Sequence, residues 1–182
     1  NMRSYAQMAA VPRTEEYIGT GDQAIYRTVD KMKSIIQQSS KNIYVREWAK
    51  KIVSRVEVNN KKAEASAIFD FVRDHVRYTK DPLGFEYIQT PLVLLEDIRL
   101  YQEGRGDRPV GDCDDMTVLS LSLLKSIGFQ VAIKVVSFSS SKKYGHVYGL
   151  VQIGYDWIPF DCVRPDQDMG WESKGHTRVM ET

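Results

Sequence analysis

The sequence is poor in the features that mark several large classes of protein. It has two cysteines and three histidines among 182 residues, and neither set shows the spacing of a disulfide framework or a zinc site. Its 25 basic and 24 acidic residues nearly cancel, so no field of one sign attracts nucleic acid or an anionic membrane. No run of about 18 apolar residues is present. We therefore expect no metal or other cofactor, no nucleic-acid partner and no membrane partner.

The N-terminal residues also lack the apolar core of a signal peptide, which favours a cytoplasmic location. A chain of this length can bury one core and is too short for two ordinary domains. We expect a helical extension over residues 1–60 within the same globule, a catalytic core over 61–165, and a loosely packed polar tail over 166–182. Residues 1–21 show no sustained period and are expected to run over the surface. The oligomeric state stays open.

Apolar residues recur at helical spacing in five segments, which predicts five amphipathic helices. Asp22 is a suitable N-cap for the first, and Thr90-Pro91 opens the fourth with an N-cap followed by proline. The five stripes run from Ile25 to Ile36, Val45 to Val56, Ala63 to His75, Leu92 to Ile98 and Met116 to Ile127. Three later runs, at 129–138, 146–153 and 155–162, are rich in β-branched and aromatic residues and indicate an antiparallel meander.

The segment Gly-Asp-Cys-Asp-Asp at 111–115 places Cys113 in the first turn of the fifth helix. The partial positive charge of a helix N-terminus favours a thiolate there. Asp114 and Asp115 act the other way, because nearby carboxylates raise the pKa of a thiol, so activation needs a separate base. The two aspartates also simply suit a helix N-terminus, and a lone buried cysteine is often inert packing.

His146 begins one predicted strand and Asp161 ends the next, so an antiparallel turn brings both to one edge of the sheet. By alternation His146 shares a face with Tyr148, and Asp161 shares a face with Trp157. If the helix of Cys113 packs across that face, the three residues form a nucleophile, a base and an orienting acid. Alternatively, the histidine is a surface residue and the aspartate a turn former.

These residues give the chain a resemblance to the transglutaminase-like superfamily, a papain-related fold. The matching segments are Gly111 to Asp115, Leu124 to Phe129, Gly145 to Tyr148 and Trp157 to Asp161, in the family's order of Cys, His and Asp. Asp81-Pro82 and Pro91 are further similar to small prokaryotic and phage members. The resemblance covers about residues 64–165. It implies an α+β, papain-like core in which the catalytic helix packs on an antiparallel sheet, preceded by an N-terminal helical extension.

The resemblance also implies that Cys113 is the nucleophile, His146 the base and Asp161 the third member of a triad that acts on a protein or peptide. The family's oxyanion donor lies about 35 positions before the nucleophile, where Tyr78 falls, with Gln89 as its rival; each would stabilise the transition state by roughly 3 kcal/mol.

Four other residues are expected to have a packing role or no role in the chemistry. Cys162 departs from the small polar residue or proline of many relatives, and by alternation it points into the core. His75 and His176 are expected to be bystanders. Trp157 is expected to pack beneath the triad.

Three functions stay open at this point. The leading hypothesis is a peptidase or amidase that attacks an amide carbonyl and resolves the thioester with water. Resolution with an amine would make the chain a transglutaminase, and a silent triad would make it a scaffold or interaction module. The lack of a calcium-binding acidic loop favours hydrolysis, and the intact Cys, His and Asp argue against the scaffold.

Overall fold

The computed structural model describes residues 22–80, 87–138, 144–176 and 178–182. The five helices are α1 (Asp22–Ser39), α2 (Ile43–Val53), α3 (Lys61–His75), α4 (Pro91–Gln102) and α5 (Cys113–Ser126). The strands are β1 (Arg77–Tyr78), β2 (Val110–Gly111), β3 (Val131–Ser137), β4 (His146–Ile153), β5 (Asp156–Phe160) and β6 (Arg178–Glu181). The helices lie where the apolar spacing predicts them, and the α+β class is confirmed.

The main sheet has four strands in the order β5-β4-β3-β6, and every neighbouring pair is antiparallel. The predicted meander of β3, β4 and β5 is therefore correct. The expectation of a loosely packed tail is wrong at its end, because β6 pairs with β3 and sets Val179 opposite Val136. Four residues of mixed polarity are too short a run for period-2 patterning to distinguish from coil.

Helix α5 lies at the centre of the molecule, in contact with each of the other four helices and with β3 and β4. Its residues from Asp115 to Leu124 are all buried, which matches a helix that is apolar around most of its circumference. Gly149 of β4 permits close approach to this helix, since a Cβ there would lie 2.5 Å from Cδ2 of Leu121. The strand can therefore run directly against the helix that carries Cys113.

A second, two-stranded sheet joins the end of α3 to the residue that precedes the α5 N-cap. Strands β1 and β2 run parallel, with Tyr78 opposite Gly111. The backbone N–H of Thr79 donates to the carbonyl of Gly111 at 2.9 Å. Strands of two residues leave no periodic signal in a sequence, so this sheet was not predicted. It brings Tyr78 next to the segment that carries Cys113.

The N-cap residues predicted from the sequence are only partly confirmed. Thr90 occupies the N-cap position of α4, but its side chain makes no cap hydrogen bond and its buried hydroxyl has no partner among the described residues. The cap prediction is thus right in position and wrong in its bonding. The side chain of Asp22, residues 1–21, Asp81-Pro82 and the connection 139–143 lie outside the described residues. In the parts of the chain that the structure describes, no helix combines the length and the apolarity needed to cross a membrane.

Candidate active site

A capping box fixes Cys113 at the first position of α5. The Asp112 carboxylate accepts from the backbone N–H groups of Asp114 at 2.9 Å and Asp115 at 3.1 Å. The Asp115 carboxylate accepts in return from the backbone N–H of Asp112 at 3.2 Å. This reciprocal arrangement satisfies helix-end donors and sets the direction in which the helix begins. It therefore fixes where the thiol leaves the backbone.

The thiol of Cys113 is held in its neutral form. Burial and the carboxylates of Asp114 and Asp112 raise its pKa well above the usual value, and a hydrogen bond from the Val147 backbone N–H opposes them only in part. The thiol donates to Oδ1 of Asp114 at 3.7 Å. Because burial and the two aspartates together raise the pKa of this thiol, the argument that position alone favours a thiolate does not hold for Cys113.

His146 and Asp161 meet at the edge of the sheet where alternation predicts them. Nε2 of His146 lies 2.7 Å from Oδ2 of Asp161. The side chains are 13% and 2% exposed, so the pair is largely shielded from water. Oδ1 of Asp161 also accepts from the backbone N–H of Val163 at 3.4 Å. Nδ1 is the ring nitrogen of His146 that this contact with Asp161 does not use.

The helix of Cys113 packs on the other face of the sheet from the one predicted. Val147, Gly149 and Val151 face α5, as the contact between Gly149 and Leu121 requires. His146 belongs to the opposite face, where its ring lies 5.5 Å from that of Tyr148. The site forms instead where the N-terminus of α5 passes the beginning of β4.

A cleft at this crossing has Cys113 and His146 in its lining. Its volume is about 150 Å³. The residues that line this cleft belong to α1, to the start of α5, to β3 and to the segment that enters β4. The lining residues are Ile25, Thr28, Val29, Met32, Asp112, Cys113, Asp114, Val135, Tyr144, Gly145, His146 and Val147. Sequence reasoning left the role of the N-terminal helices open, and the structure makes α1 a wall of this cleft.

Of the two candidate oxyanion donors, Tyr78 has the freer side chain. Burial raises the pKa of Tyr78 to about 12, with further contributions from Cys113 and from the carboxylates of Asp112, Asp161 and Asp114. The hydroxyl is therefore within electrostatic reach of the thiol and keeps its proton near neutral pH. A neutral O–H group is able to donate a hydrogen bond to a developing oxyanion.

The side chain of Gln89 is committed to other partners. Its amide nitrogen donates to Oδ2 of Asp115 and to the carbonyl oxygen of Val110, both at 2.9 Å. Its backbone N–H donates to Oδ1 of Asp115 at 2.6 Å. Burial and the charge of Asp112 raise the pKa of Asp115 to about 7, although these donors lower it in part. Gln89 thus joins the chain before α4 to the first turn of α5.

A polar group that the sequence did not reveal, called the brace below, lies beside His146 and consists of Tyr148, Glu172 and Lys134. Tyr148 stacks against the imidazole, and its hydroxyl donates to Oε1 of Glu172 at 2.5 Å. Lys134 holds the same oxygen at 2.6 Å. Glu172 lies in the polar C-terminal segment, where no pattern marks a role. The brace connects this segment to the face of the sheet that carries the histidine.

The structure also places the four residues that were expected to lie outside the chemistry. Cys162 is 4% exposed within the main core, as expected. His75 contacts the Phe71 carbonyl and Gln102. His176 packs 5.2 Å from the Phe138 ring, among the aromatic neighbours of His146. Trp157 is 46% exposed and does not pack beneath the site, because its strand position turns it outward.

Asp112, Cys113 and Asp114 form a group of possible metal ligands whose ligating atoms lie within 4.8 Å of one another. Two carboxylates and a thiol from one turn do not supply the nitrogen and sulfur set that zinc prefers. They also fall short of the six to eight oxygens that calcium takes. The described residues therefore give this group no metal assignment.

Comparison with known sequences finds a family relationship. A sequence model described as the transglutaminase-like superfamily matches residues 46–162. The matched segment runs from α2 to Cys162, and it leaves α1 and β6 outside. No curated protein matches the chain.

Comparison with solved structures finds distant similarities. One is to a candidate cysteine protease from Cytophaga hutchinsonii, with 16% identity, a TM-score of 0.47, and coverage of 84% of this chain and 55% of that one. Another is to LapG from Legionella pneumophila, with 15% identity, a TM-score of 0.44, and coverage of 74% and 72%. The chain thus spans about half the length of the Cytophaga protein.

Proposed function

Because the chain belongs to the transglutaminase-like superfamily, we propose that it is a cysteine-dependent acyl-transfer enzyme that cleaves an amide bond through a thioester on Cys113. The observation that carries this proposal is the contact between His146 and Asp161 at the cleft that also holds Cys113. A nucleophile, a base and an orienting carboxylate are the parts that such a reaction needs.

The first half-reaction forms the thioester. The thiol of Cys113 leaves Asp114 and gives its proton to Nδ1 of His146, while the sulfur electron pair attacks the amide carbonyl carbon. The tetrahedral intermediate collapses as the C–N bond breaks, and the imidazolium protonates the departing amine. Asp161 holds Nε2 throughout and stabilises the charged ring.

The second half-reaction releases the acyl group. A water molecule gives a proton to His146, and its oxygen attacks the thioester carbonyl. The C–S bond then breaks, the sulfur takes back the proton, and a carboxylic acid leaves. Tyr78 is the proposed donor to the oxyanion in both halves, which agrees with a hydroxyl that keeps its proton near neutral pH.

The raised pKa of Cys113 affects when the thiol loses its proton relative to the attack on the carbonyl carbon. A neutral thiol must be deprotonated during attack rather than stored as a thiolate. Substrate binding would remove water from the cleft and bring the proton transfer and the attack together. The resting enzyme is then a weak target for general alkylating reagents.

Amine transfer is a second candidate function. Asp112 and Asp114 line the cleft beside the thiol, and their charges favour the approach of a cationic amine. Once this amine has given a proton to His146, its nitrogen would attack the same thioester in place of water; the C–S bond then breaks, the sulfur takes a proton back, and a new amide leaves. Nothing before that step differs between the two reactions.

The test is incubation of the purified chain with casein and a fluorescent primary amine. Hydrolysis predicts soluble peptides without incorporation of the amine, and amine transfer predicts labelled casein. Cys113→Ser should abolish either product, and Cys162→Ala is the matched control that keeps it. Product from Cys113→Ser equal to that from the wild type would overturn the role of Cys113, and no product from either protein would overturn the proposal and leave a scaffold role.

A further inference from the structure

Helix α1 supplies an apolar wall to the cleft of the candidate active site. Ile25, Val29 and Met32 line it from one side, directly across from the segment that carries His146. The family match begins at residue 46, after this helix has ended. The part of the cleft that α1 lines therefore lies outside the segment that the family model matches.

We propose that α1 forms a substrate subsite that takes one uncharged apolar side chain flanking the scissile amide. The inference rests on the proposed function and adds the substrate class to it. Val135 and Val147 continue the apolar surface from the strands. Apart from Ile25 these side chains are at most 5% exposed, so the driving force is chiefly the apolar surface that the ligand itself removes from water.

The size of the cleft limits the occupant to a single side chain. A cavity of about 150 Å³ is large enough for a benzene ring, and the cleft has about this volume. A leucine, methionine or phenylalanine side chain therefore fits, whereas an alanine leaves most of the space unfilled. In a hydrophobic pocket one methylene group is worth roughly tenfold or more in selectivity.

Charge excludes an acidic occupant. Asp112 and Asp114 line the cleft, and no lysine or arginine is among its lining residues within the described chain. A glutamate side chain would meet two carboxylates in a confined site. Lysine is the most useful side chain to compare with leucine in the subsite. Its aliphatic stem could follow the apolar wall while its ammonium group met the carboxylates.

The first experiment probes the pocket without requiring turnover. Cys113 is alkylated with iodoacetamide, N-benzyliodoacetamide and iodoacetate, and the modified cysteine is identified by mass spectrometry. The ratio of the labelling rate with the benzyl reagent to the rate with iodoacetamide should be about tenfold higher for Cys113 than for glutathione. Iodoacetate should be the slowest of the three reagents. Rate ratios equal to those of glutathione would overturn the subsite.

Variants on α1 locate the pocket. Ile25→Phe should fill it and remove the benzyl preference. Ile35→Phe is the matched control, since Ile35 is partly buried on the same helix and does not line the cleft. Loss of the preference in both variants, or in neither, would contradict the assignment to α1.

Fluorogenic peptides separate this inference from the proposed function. Peptides that differ only in Leu, Ala, Lys or Glu beside the cleaved bond should show the highest kcat/KM for Leu. Cleavage with equal kcat/KM for all four, or with Lys preferred, would overturn the subsite and leave the hydrolase standing. A benzyl preference without cleavage of any peptide would support the pocket and overturn the hydrolase.

Discussion

Asp161 binds Nε2 of His146 at 2.7 Å, and this contact decides which nitrogen can act on Cys113. The carboxylate accepts the Nε2 proton, so in the neutral imidazole Nδ1 carries the lone pair. Asp161 is almost completely buried and is itself held by the backbone of Val163. The direction in which the base faces is therefore built into the strand pairing.

Replacement of Asp161 should show whether the charge or the hydrogen bond matters more. Asp161→Asn keeps the shape of the side chain but can present an amide N–H to Nε2, which places the ring proton on Nδ1, so we expect kcat to fall by about 10⁴-fold. Asp161→Ala leaves the ring without an orienting partner, and we expect a loss of about 10³-fold or more. Steady-state kinetics on a fluorogenic peptide measure both. A loss of less than about tenfold in both variants would show that orientation of the ring is not the role of this residue.

Asp114 should restrain the reactivity of the thiol. Its carboxylate raises the pKa of Cys113 and accepts the thiol proton, so Asp114→Asn should lower that pKa and make alkylation by iodoacetamide faster at neutral pH. The pH dependence of the labelling rate measures the change. Asp156→Asn, an exposed site on β5, should leave the rate unaltered. Slower labelling of Asp114→Asn would contradict the electrostatic account.

Tyr78→Phe removes one proposed oxyanion donor while keeping the ring. A lost donor of this kind costs about 3 kcal/mol, which corresponds to a fall in kcat of about 10²-fold with little change in KM. Gln89→Ala is the comparison, because its amide binds Asp115 and should affect stability more than kcat. A larger kcat effect at Gln89 than at Tyr78 would reverse the assignment.

Asp115 should make the protein less stable as the pH rises from 4 to 7. Its pKa is raised from 3.8 to about 7 in the folded state, so the folded chain holds a proton that the unfolded chain releases. The stability that this proton adds is complete below pH 3.8 and lost as the pH passes 7. At 1.36 kcal/mol per pKa unit the loss approaches about 4 kcal/mol.

Urea unfolding at pH 5, 6 and 7 measures this effect. Asp115→Asn should be less stable overall, since an amide cannot accept from all three of its donors, but its pH slope in this window should be smaller than that of the wild type. Asp156→Asn should keep the wild-type slope. Identical slopes in the wild type and Asp115→Asn would contradict the raised pKa.

Much of this arrangement follows from sequence patterns, and the parts that do not follow have physical reasons. Alternation along β4 shows that His146 and Tyr148 share a face, but it does not show which face α5 covers. Gly149 carries that information, because glycine inside a strand often marks the close approach of another element. The stripe on α1 predicts burial, whereas its position beside Cys113 depends on tertiary packing alone.

The two sides of β4 belong to separate hydrophobic clusters. Cys113 packs against the large core that also contains Val147 and Val151. Tyr148, the ring neighbour of His146, belongs with Val136 and Leu150 to a small cluster on the outer face. Under the proposed function, substitutions in the small cluster would act first on the surroundings of His146, and substitutions in the large core would act first on those of Cys113. The sheet thus separates the packing of the proposed base from that of the proposed nucleophile.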